Sequence, residues 1–318
     1  MKKGFIALLV ALCLVLAGCS GGPASQTKGS KEGAGEPAGD ADLSTIEKKQ
    51  LNDYTWDDLS LISNQIAQAA SDEEGREIAR QFGLVEKDGS LTTQTKQIVL
   101  NNTRFLDVRL AGIRHDDKAD GSGKAGLTFM TVGALDIRPI NDTQTVEGGW
   151  QASTLRAWLA NEVPSMLDDD LTQALVEVNK LTNNVGRTDS LESVTPTPDK
   201  LWLFSVHEVC GDVTWDIDEF RQMRGYQDID GLLNAEGSQY EVFAQAGVDG
   251  KGNNSEFLSL AQSSGTSPWW YRSPYPFDWQ GYANTGTEGY FYRVMESGYP
   301  ESLGEPVDPS SVVVGFCV

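Results

Sequence analysis

Histidine and cysteine are scarce in this sequence, which limits the chemistry that it can support. His115 and His207 are the only histidines among 318 residues, and no two of the four cysteines stand at metal-ligand spacing. A zinc site rich in histidine or paired cysteine is therefore excluded. Beyond the N-terminal apolar run and the low-complexity stretch behind it, from residue 44 onward, the sequence has no Gly-x-Ser-x-Gly elbow and no Walker phosphate loop. The enzymes that use those motifs are therefore not indicated.

Basic residues are also few. The chain has 25 Lys and Arg against 46 Asp and Glu, a formal net charge of −21, whereas nucleic-acid binding needs clustered cations. We therefore expect no nucleic-acid partner. The imbalance is greatest in residues 201–318, where 17 acids face 5 bases and where 20 of the 28 aromatic side chains lie. Because acids are so numerous, a nearby pair of carboxylates does not indicate a glycosidase.

The one long apolar run of the sequence is at its N-terminus. Two lysines precede residues 5–16, which are too few for a stable membrane span and have the form of an export signal. The run ends in Leu16-Ala17-Gly18-Cys19, which matches the bacterial lipobox. We predict that residues 1–18 are a signal peptide and that lipidated Cys19 holds the protein on a bacterial cell membrane, facing outside the cytoplasm. An ordinary signal peptide with a chance cysteine is the alternative.

Beyond the signal, the pattern divides the chain into three segments. Residues 19–52 are rich in Gly, Ser, Ala, Pro and charge, which predicts a flexible tether behind the lipid. Residues 53–95 contain two amphipathic helices, capped at Thr55 and Ser71, that predict a small α-helical hairpin. Its apolar faces are too small for an independent domain, so we expect it to pack on the C-terminal part of the chain or on a partner. Residues 96–318 form the main domain.

The main domain mixes predicted strands with predicted helices. Apolar runs and alternation predict strands, and apolar residues three or four positions apart predict helices. The predicted strands are residues 98–100, 105–113, 201–204 and 312–318, and the predicted helices are residues 150–159, residues 167–178 and a short one after Ser205. Residues 210–265 show no clear period and hold many Gly, Asp and Asn, so we expect a long loop excursion there.

Two cysteines, Cys210 and Cys317, remain once the signal and the lipidated residue are set aside. Export to an oxidising compartment would permit a disulfide between them. Two buried free thiols are the alternative, because separation along the sequence says nothing about distance in the fold. Both interpretations are open at this point.

Four acids at the start of the excursion are the best candidates for oxygen ligands of a metal. Asp212, Asp216, Asp218 and Glu219 could bind calcium, which prefers carboxylate oxygens. The same residues could equally form the solvated first turn of a helix. The acidic loop over residues 116–124 lacks two of the ligands that an EF-hand requires, so a solvated loop is favoured there.

The strongest local signal is a cluster of aromatic side chains. Between residues 269 and 299, 11 of 31 residues are Trp, Tyr or Phe, interleaved with Gly, Pro, Ser and Asn. Exposed ring faces can stack on sugars or cations, and nearby polar groups can fix their orientation. The ligand-binding candidates are Trp269, Arg272, Tyr275, Trp279 and Tyr282. The alternative is that the first aromatics form a core strand and that Arg272 pairs with a structural carboxylate.

Six ordered blocks extend over the main domain. They are GIRHDD at residues 112–117, GGWQASTLRAWL at 148–159, LWLFSVHE at 201–208, GSQYE at 237–241, WWYRS at 269–273 and GFC at 315–317. In this order the blocks resemble DUF6273, a bacterial domain family of unknown function. The resemblance covers about residue 100 to the end of the chain and brings no established catalytic residues.

That family is similar in layout to C-type-lectin-like domains. The resemblance therefore implies an α+β fold, with a mixed sheet, flanking helices and a long loop excursion, preceded here by the α-helical hairpin. Fold does not determine function, but this layout implies ligands on the excursion and the aromatic strand. We expect a surface protein that binds a glycan or a protein without catalysis. The alternatives are a structural role in envelope assembly and, less favoured, an oxidase related to formylglycine-generating enzymes, using Cys210 and Cys317.

Overall fold

The described part of the chain begins at residue 43. The structure, a computed structural model, describes residues 43–215, 228–259, 267–276 and 289–318, which all belong to one compact unit, Asp40–Val318. The predicted signal peptide, Cys19 and residues 20–42 of the predicted tether lie outside the described residues. Residues 43–52 were also predicted to be flexible tether, and this part of the prediction is wrong: Leu51 is 1% exposed and its N–H donates to Gln94 Oε1 at 2.7 Å. Within the described ranges, no helix has both the length and the apolar character needed to cross a membrane.

Short helices and strands alternate along the described chain. The helices are α1 (Trp56–Gln68), α2 (Asp72–Gln81), α3 (Thr154–Asn161), α4 (Asp169–Ala174), α5 (Val206–Cys210), α6 (Ile229–Asn234), α7 (Glu241–Gln245) and α8 (Ser255–Leu258). The strands are β1 (Thr95–Leu100), β2 (Arg104–Ile113), β3 (Leu127–Thr131), β4 (Asp136–Arg138), β5 (Val178–Asn183), β6 (Val194–Asp199), β7 (Trp202–Leu203), β8 (Trp269–Pro274), β9 (Phe291–Val294), β10 (Ser302–Gly304), β11 (Ser310–Val312) and β12 (Val314–Cys317). The predicted α+β class is confirmed.

Most of these strands belong to two five-stranded sheets. The first has the order β1-β2-β3-β12-β7 and is antiparallel throughout. The second has the order β10-β9-β8-β11-β4, in which β8 and β11 run parallel, and β5 pairs with β6 separately. Because Val313 alone separates β11 from β12, the C-terminal segment joins the two large sheets. It is buried along its whole length, which explains its run of apolar residues.

The strands predicted over residues 98–100 and 105–113 pair as a β-hairpin, and the predicted helical hairpin is also present. Asn101 and Asn102, with φ of 50° and 57°, form the turn between β1 and β2, and Asn tolerates this left-handed conformation. Thr55 caps α1 in a capping box with Asp58. Ser71 accepts from the N–H of the third residue of α2, as its position in the sequence predicts.

Two predicted helices are shorter than their periodicity indicates. α3 begins four residues late, because Trp150 lies in a turn and its Nε1 donates to Asp199 Oδ2 at 2.8 Å. α4 ends four residues before Val178, which opens β5 instead. The Val176 N–H donates to the Cys317 carbonyl at 2.9 Å. Pairing with the C-terminal segment therefore overrides the helical spacing in this region.

The helical hairpin packs on the first sheet of the same chain. The Trp56 ring meets Phe129 and Phe316 edge-on, at centroid distances of 5.5 and 5.8 Å. A Cβ at Gly126 would lie 2.0 Å from the Ser63 carbonyl, so only glycine permits this close approach. Of the two arrangements expected from the sequence, packing on the C-terminal part of the chain is the one observed.

We predict that removing apolar volume from the buried face of α1 destabilises the whole compact unit. Ile62 is 0% exposed, and Ile62→Ala should lower the free energy of unfolding by about 2–5 kcal/mol through lost burial and a residual cavity. Urea unfolding followed by far-UV circular dichroism measures this change. Leu61→Ala, on the 39% exposed neighbour, is the control and should cost less than about 1 kcal/mol. Equal effects of the two variants would contradict the packing.

Candidate functional site

The aromatic strand that was expected to present ligand-binding side chains lies in the interior. β8 runs between β9 and β11, and all six of its residues are buried. Trp269 is 2% exposed and its Nε1 donates to a backbone carbonyl at 3.0 Å, while Tyr275 is 8% exposed and packs its ring against Tyr292. These placements correct the expectation of exposed ring faces at Trp269 and Tyr275. Trp279 and Tyr282 lie outside the described residues.

Arg272 is also a core residue, as the alternative interpretation of its position held. Its buried guanidinium forms a two-point contact with Glu208, in which Nη2 donates to Oε1 at 3.0 Å and Nη1 donates to Oε2. Nε donates to Thr182 Oγ1 at 2.6 Å, and the carbonyls of Leu181 and Leu203 accept from the remaining N–H groups. The N–H groups of the guanidinium already donate hydrogen bonds within the protein, so the prediction that Arg272 binds a ligand is wrong.

Arg272 belongs to a buried ionic cluster, which consists of Asp116, Lys180, Glu208, Glu236 and Arg272. Lys180 Nζ lies 2.6 Å from Asp116 Oδ1 and 2.6 Å from Glu208 Oε1. The Tyr240 hydroxyl donates to Asp116 Oδ1 at 2.6 Å. Burying a lone charge is expensive, so such a cluster is tolerated only when its charges are paired and hydrogen-bonded.

Protonation balances the charges of the buried ionic cluster. Burial alone would raise the pKa values of Asp116 and Glu208, but the neighbouring Lys180 and Arg272 hold both below their usual range. Burial raises the pKa of Glu236 to about 7, and its contact with Arg272 only partly offsets this. Below that pH the cluster holds two cations, two carboxylates and a neutral Glu236.

We predict that titration of Glu236 makes the protein less stable as the pH rises from 4.5 to about 7. Its pKa is about 7 in the folded state against 4.5 for a free side chain, so the folded protein keeps a proton that the unfolded chain releases. The stabilisation is complete below the unfolded pKa and is lost by about pH 7, a change of up to about 3 kcal/mol. In urea unfolding at a series of pH values, Glu236→Gln should flatten this decline.

The control for this experiment is Glu256→Gln, which removes an exposed carboxyl and should leave the wild-type slope unchanged. Burial also raises the pKa of Asp199 to about 6, so part of the decline persists in both variants. A Glu236→Gln protein with the full wild-type slope would contradict the assignment.

Ser238, His115 and Asp116 have the residue types of a hydrolase triad but not its hydrogen bonds. Ser238 Oγ lies 3.1 Å from His115 Nε2, whereas His115 Nδ1 lies 3.9 Å from Asp116 Oδ1, beyond hydrogen-bonding range. Across the described ranges, that nitrogen has no hydrogen-bond partner. Asp116 Oδ1 accepts from Lys180 and Tyr240 instead. The arrangement therefore does not support a nucleophilic serine.

Cys210 and Cys317 are buried free thiols with different neighbours. Cys210 Sγ lies 3.6 Å from Tyr271 Oη, whereas Cys317 Sγ lies 3.3 Å from Thr128 Oγ1. The disulfide predicted as one alternative is therefore wrong, and the free-thiol alternative holds. Burial raises the pKa of the Cys210 thiol to about 12 and raises the pKa of Cys317 well above its usual value. Neither is a thiolate nucleophile at neutral pH.

Of the four calcium-ligand candidates, one is described. Asp212 is exposed, with Oδ1 3.3 Å from His207 Nε2, and Asp216, Asp218 and Glu219 lie outside the described residues. In the part of the chain that the structure describes, no group of three or more His, Cys, Asp or Glu side chains could hold a metal ion. A calcium site built from all four acids stays a prediction.

A groove of about 640 Å³ lies between the first sheet and helices α7 and α8. We call it the Arg109 groove. Its lining combines one guanidinium with hydroxyl, aliphatic and aromatic groups, including Arg109, Ser90, Thr93, Val242, Phe257 and the edge of Trp269. The volume falls within the range of about 300–1,000 Å³ that is usual for small-molecule sites. This mixture suits a ligand that has both apolar and polar faces.

Arg109 is the charged group of this groove that most resembles a ligand anchor. Its guanidinium carbon lies 5.2 Å from the centroid of the Phe257 ring. Nε has no hydrogen-bond partner among the described residues, and burial lowers the pKa of the side chain. Because Nε is enclosed, the Nη groups are the donors that Arg109 can offer to an acceptor in the groove.

Arg109 was not among the ligand-binding residues predicted from the sequence, although one signal pointed to it. Val108 and Leu110 are fully buried and Arg109 lies between them on β2, so strand alternation places it on the opposite face of the sheet. What covers that face depends on α7 and α8, which come more than 130 positions later. The alternation of residues along β2 therefore cannot predict that α7 and α8 cover the face on which Arg109 lies.

Comparison with known proteins gives a family match and nothing more specific. Residues 122–300, more than half of the chain, match the model of a domain of unknown function, DUF6273. No curated protein and no solved structure matches the chain. The matched range contains four of the five residues of the buried ionic cluster but begins after Arg109.

Proposed function

The chain belongs to the DUF6273 family, whose function is unknown. We propose that it is a lipid-anchored, extracytoplasmic protein that binds a ligand in the Arg109 groove. The lipobox ending in Cys19 supports the anchor, and the low-complexity residues behind it support a tether. The groove supports the binding role, because it is large and its lining is mixed. This lining is the observation that carries the proposal.

A glycan is the first candidate ligand. Sugars present C–H faces that pack on apolar and aromatic surface, and hydroxyls that need polar partners at the rim. Phe257 and Val242 offer the first kind of surface, and Ser90 and Thr93 offer the second. A surface protein is the second candidate ligand, and calcium at the 212–219 acids stays part of the proposal as an additional requirement.

The C-type-lectin-like layout is also part of the proposal. Its support is the order of the elements: an early β-hairpin, two helices, the β7–α5 block, the segment with α6 to α8, the aromatic strand β8 and the closing strand β12. In this layout the Arg109 groove lies beside the helical excursion, and Trp269 is the residue of β8 that lines it. The groove therefore shares Trp269 with the ligand surface expected from the aromatic cluster, but not Arg272 or Tyr275.

The two alternative functions have less support. Envelope assembly through the helical hairpin was suggested by its apolar faces, but α1 buries its apolar residues against the first sheet. An oxidase related to formylglycine-generating enzymes would need accessible thiolates, whereas Cys210 and Cys317 are buried with raised pKa values.

We predict that Cys19 carries the lipid. In a bacterial host fed an alkyne fatty acid, the wild-type protein should take up the label and sediment with membranes, because two acyl chains anchor stably. Cys19→Ser should lose both properties. Cys13→Ser, which changes the other cysteine near the signal, is the control and should keep them. Equal labelling of Cys19→Ser and the wild type would refute the lipobox assignment.

We predict that filling the Arg109 groove abolishes ligand binding. Ala246 lines the groove at the end of α7, and Ala246→Trp should reduce glycan-array binding at least about tenfold by occupying the space. Leu191→Trp adds the same ring at an exposed position outside the groove and should bind normally. The array is probed with and without calcium. If the wild-type protein binds no glycan in either condition, the glycan version of the proposal fails.

A further inference from the structure

Arg109 is a half-buried cation with no counter-ion among the described residues. Burial is the one influence on its pKa, which it lowers, and the Nε atom is buried without a hydrogen-bond partner there. Removing a guanidinium from water without pairing it costs free energy. A site with this unmet requirement gains stability from an anion that enters it.

The chain does not lack carboxylates with which to pair its arginines. Other arginines have carboxylate partners, among them Arg76 with Glu241, Arg114 with Asp72, Arg156 with Asp199 and Arg272 with Glu208. Arg293, like Arg109, has a buried Nε without a hydrogen-bond partner among the described residues, but it does not line the groove. The acid among the described lining residues is Glu256, which is exposed and forms no ion pair with Arg109. Arg109 therefore combines two features: it has no carboxylate partner among the described residues, and it lines a groove of ligand size.

Arg109 Nε is enclosed by protein, so a ligand in the groove meets the two Nη groups at the end of the guanidinium. Phe257 lies against the side chain at 5.2 Å, and ring stacking occupies a face of a guanidinium rather than its N–H edge. The N–H edge is a planar fork that matches the two oxygens of a carboxylate or of a phosphate. Ser90, Thr92 and Thr93 line the same groove.

From this geometry we propose that the ligand of the Arg109 groove is an acidic saccharide whose anionic group, a carboxylate or a phosphate, is bound by the Arg109 guanidinium. The inference rests on the proposed function and specifies its ligand class. Phe257 and Val242 contact the apolar face of the sugar ring, and the anion supplies the counter-charge that the protein does not. The net negative charge of the chain repels anions in general, so binding of an acidic saccharide depends on the local positive charge of Arg109.

Matched pairs of probes test the charge requirement. Calorimetry on the full-length protein in detergent compares tetragalacturonate with its methyl ester, which has the same rings without the charge. Mannose 6-phosphate compared with mannose is the phosphate arm. The wild-type protein should bind the acidic member of at least one pair at least about tenfold more tightly, as a charge-assisted hydrogen bond supplies.

Variants assign this difference to Arg109. Arg109→Gln should remove the discrimination, and Arg109→Lys should retain part of it, because lysine keeps the charge without the fork. Lys251→Gln, which removes an equal charge from an exposed position near α8, is the control and should behave like the wild type. Urea unfolding of each variant establishes that it is folded.

A second measurement does not depend on substitution. Phenylglyoxal modifies accessible arginines, and mass spectrometry measures the rate at Arg109. Tetragalacturonate or mannose 6-phosphate should slow this reaction, whereas the methyl ester and mannose should not.

The outcomes separate this inference from the proposed function. Equal binding of acidic and neutral probes that Ala246→Trp abolishes overturns the acidic ligand class and leaves groove binding intact. Discrimination that survives in Arg109→Gln overturns the role of Arg109. If no probe binds and none protects Arg109, the acidic-saccharide site is rejected, and the glycan array then decides separately whether the groove binds any sugar.

Discussion

The structure depends most on the pairing of buried charges around Lys180 and Arg272. These two cations, with Asp116 and Glu208, connect a loop, β5, α5 and β8 in a region without access to water. Removing one partner would leave an uncompensated buried charge, which costs several kcal/mol. The third carboxyl, Glu236, fits because its raised pKa keeps it neutral at mildly acidic pH. The pairing of these buried charges therefore determines how the Asp116 loop, β5, α5 and β8 pack together.

Aromatic side chains exclude water from the buried ionic cluster. Phe204 and Tyr240 meet edge-on at 5.1 Å, and the Tyr240 ring stacks on His115 at 3.8 Å, next to Lys180 and Asp116. A low dielectric strengthens each ion pair and makes each unpaired group more costly, so rings and charges support one another. The coincidence of acids and aromatics in the C-terminal third thus has, in part, a structural explanation.

Arg272 and Arg109 are two arginines with different roles, one structural and one proposed to bind a ligand. Arg272 has its donors engaged by a carboxylate, a hydroxyl and backbone carbonyls, which makes it part of the core. Arg109 stacks on Phe257 and has an Nε without a partner among the described residues, in a groove of ligand size. Satisfaction of hydrogen bonds, rather than residue type, distinguishes the structural arginine from the proposed anchor.

Local patterns in the sequence were sufficient for the features that depend on near neighbours. The capped helices at Thr55 and Ser71, the Asn-Asn turn, the Ser205–Glu208 capping box and the α+β class were all predictable, because caps and turns need only a few consecutive residues. Tertiary structure alone decided that β8 is buried, that β5 replaces the end of a helix and that Arg109 faces a groove. Each of these features depends on which distant segment of the chain covers a given surface. Burial and charge pairing are therefore determined by residues that are close in space but far apart in the sequence.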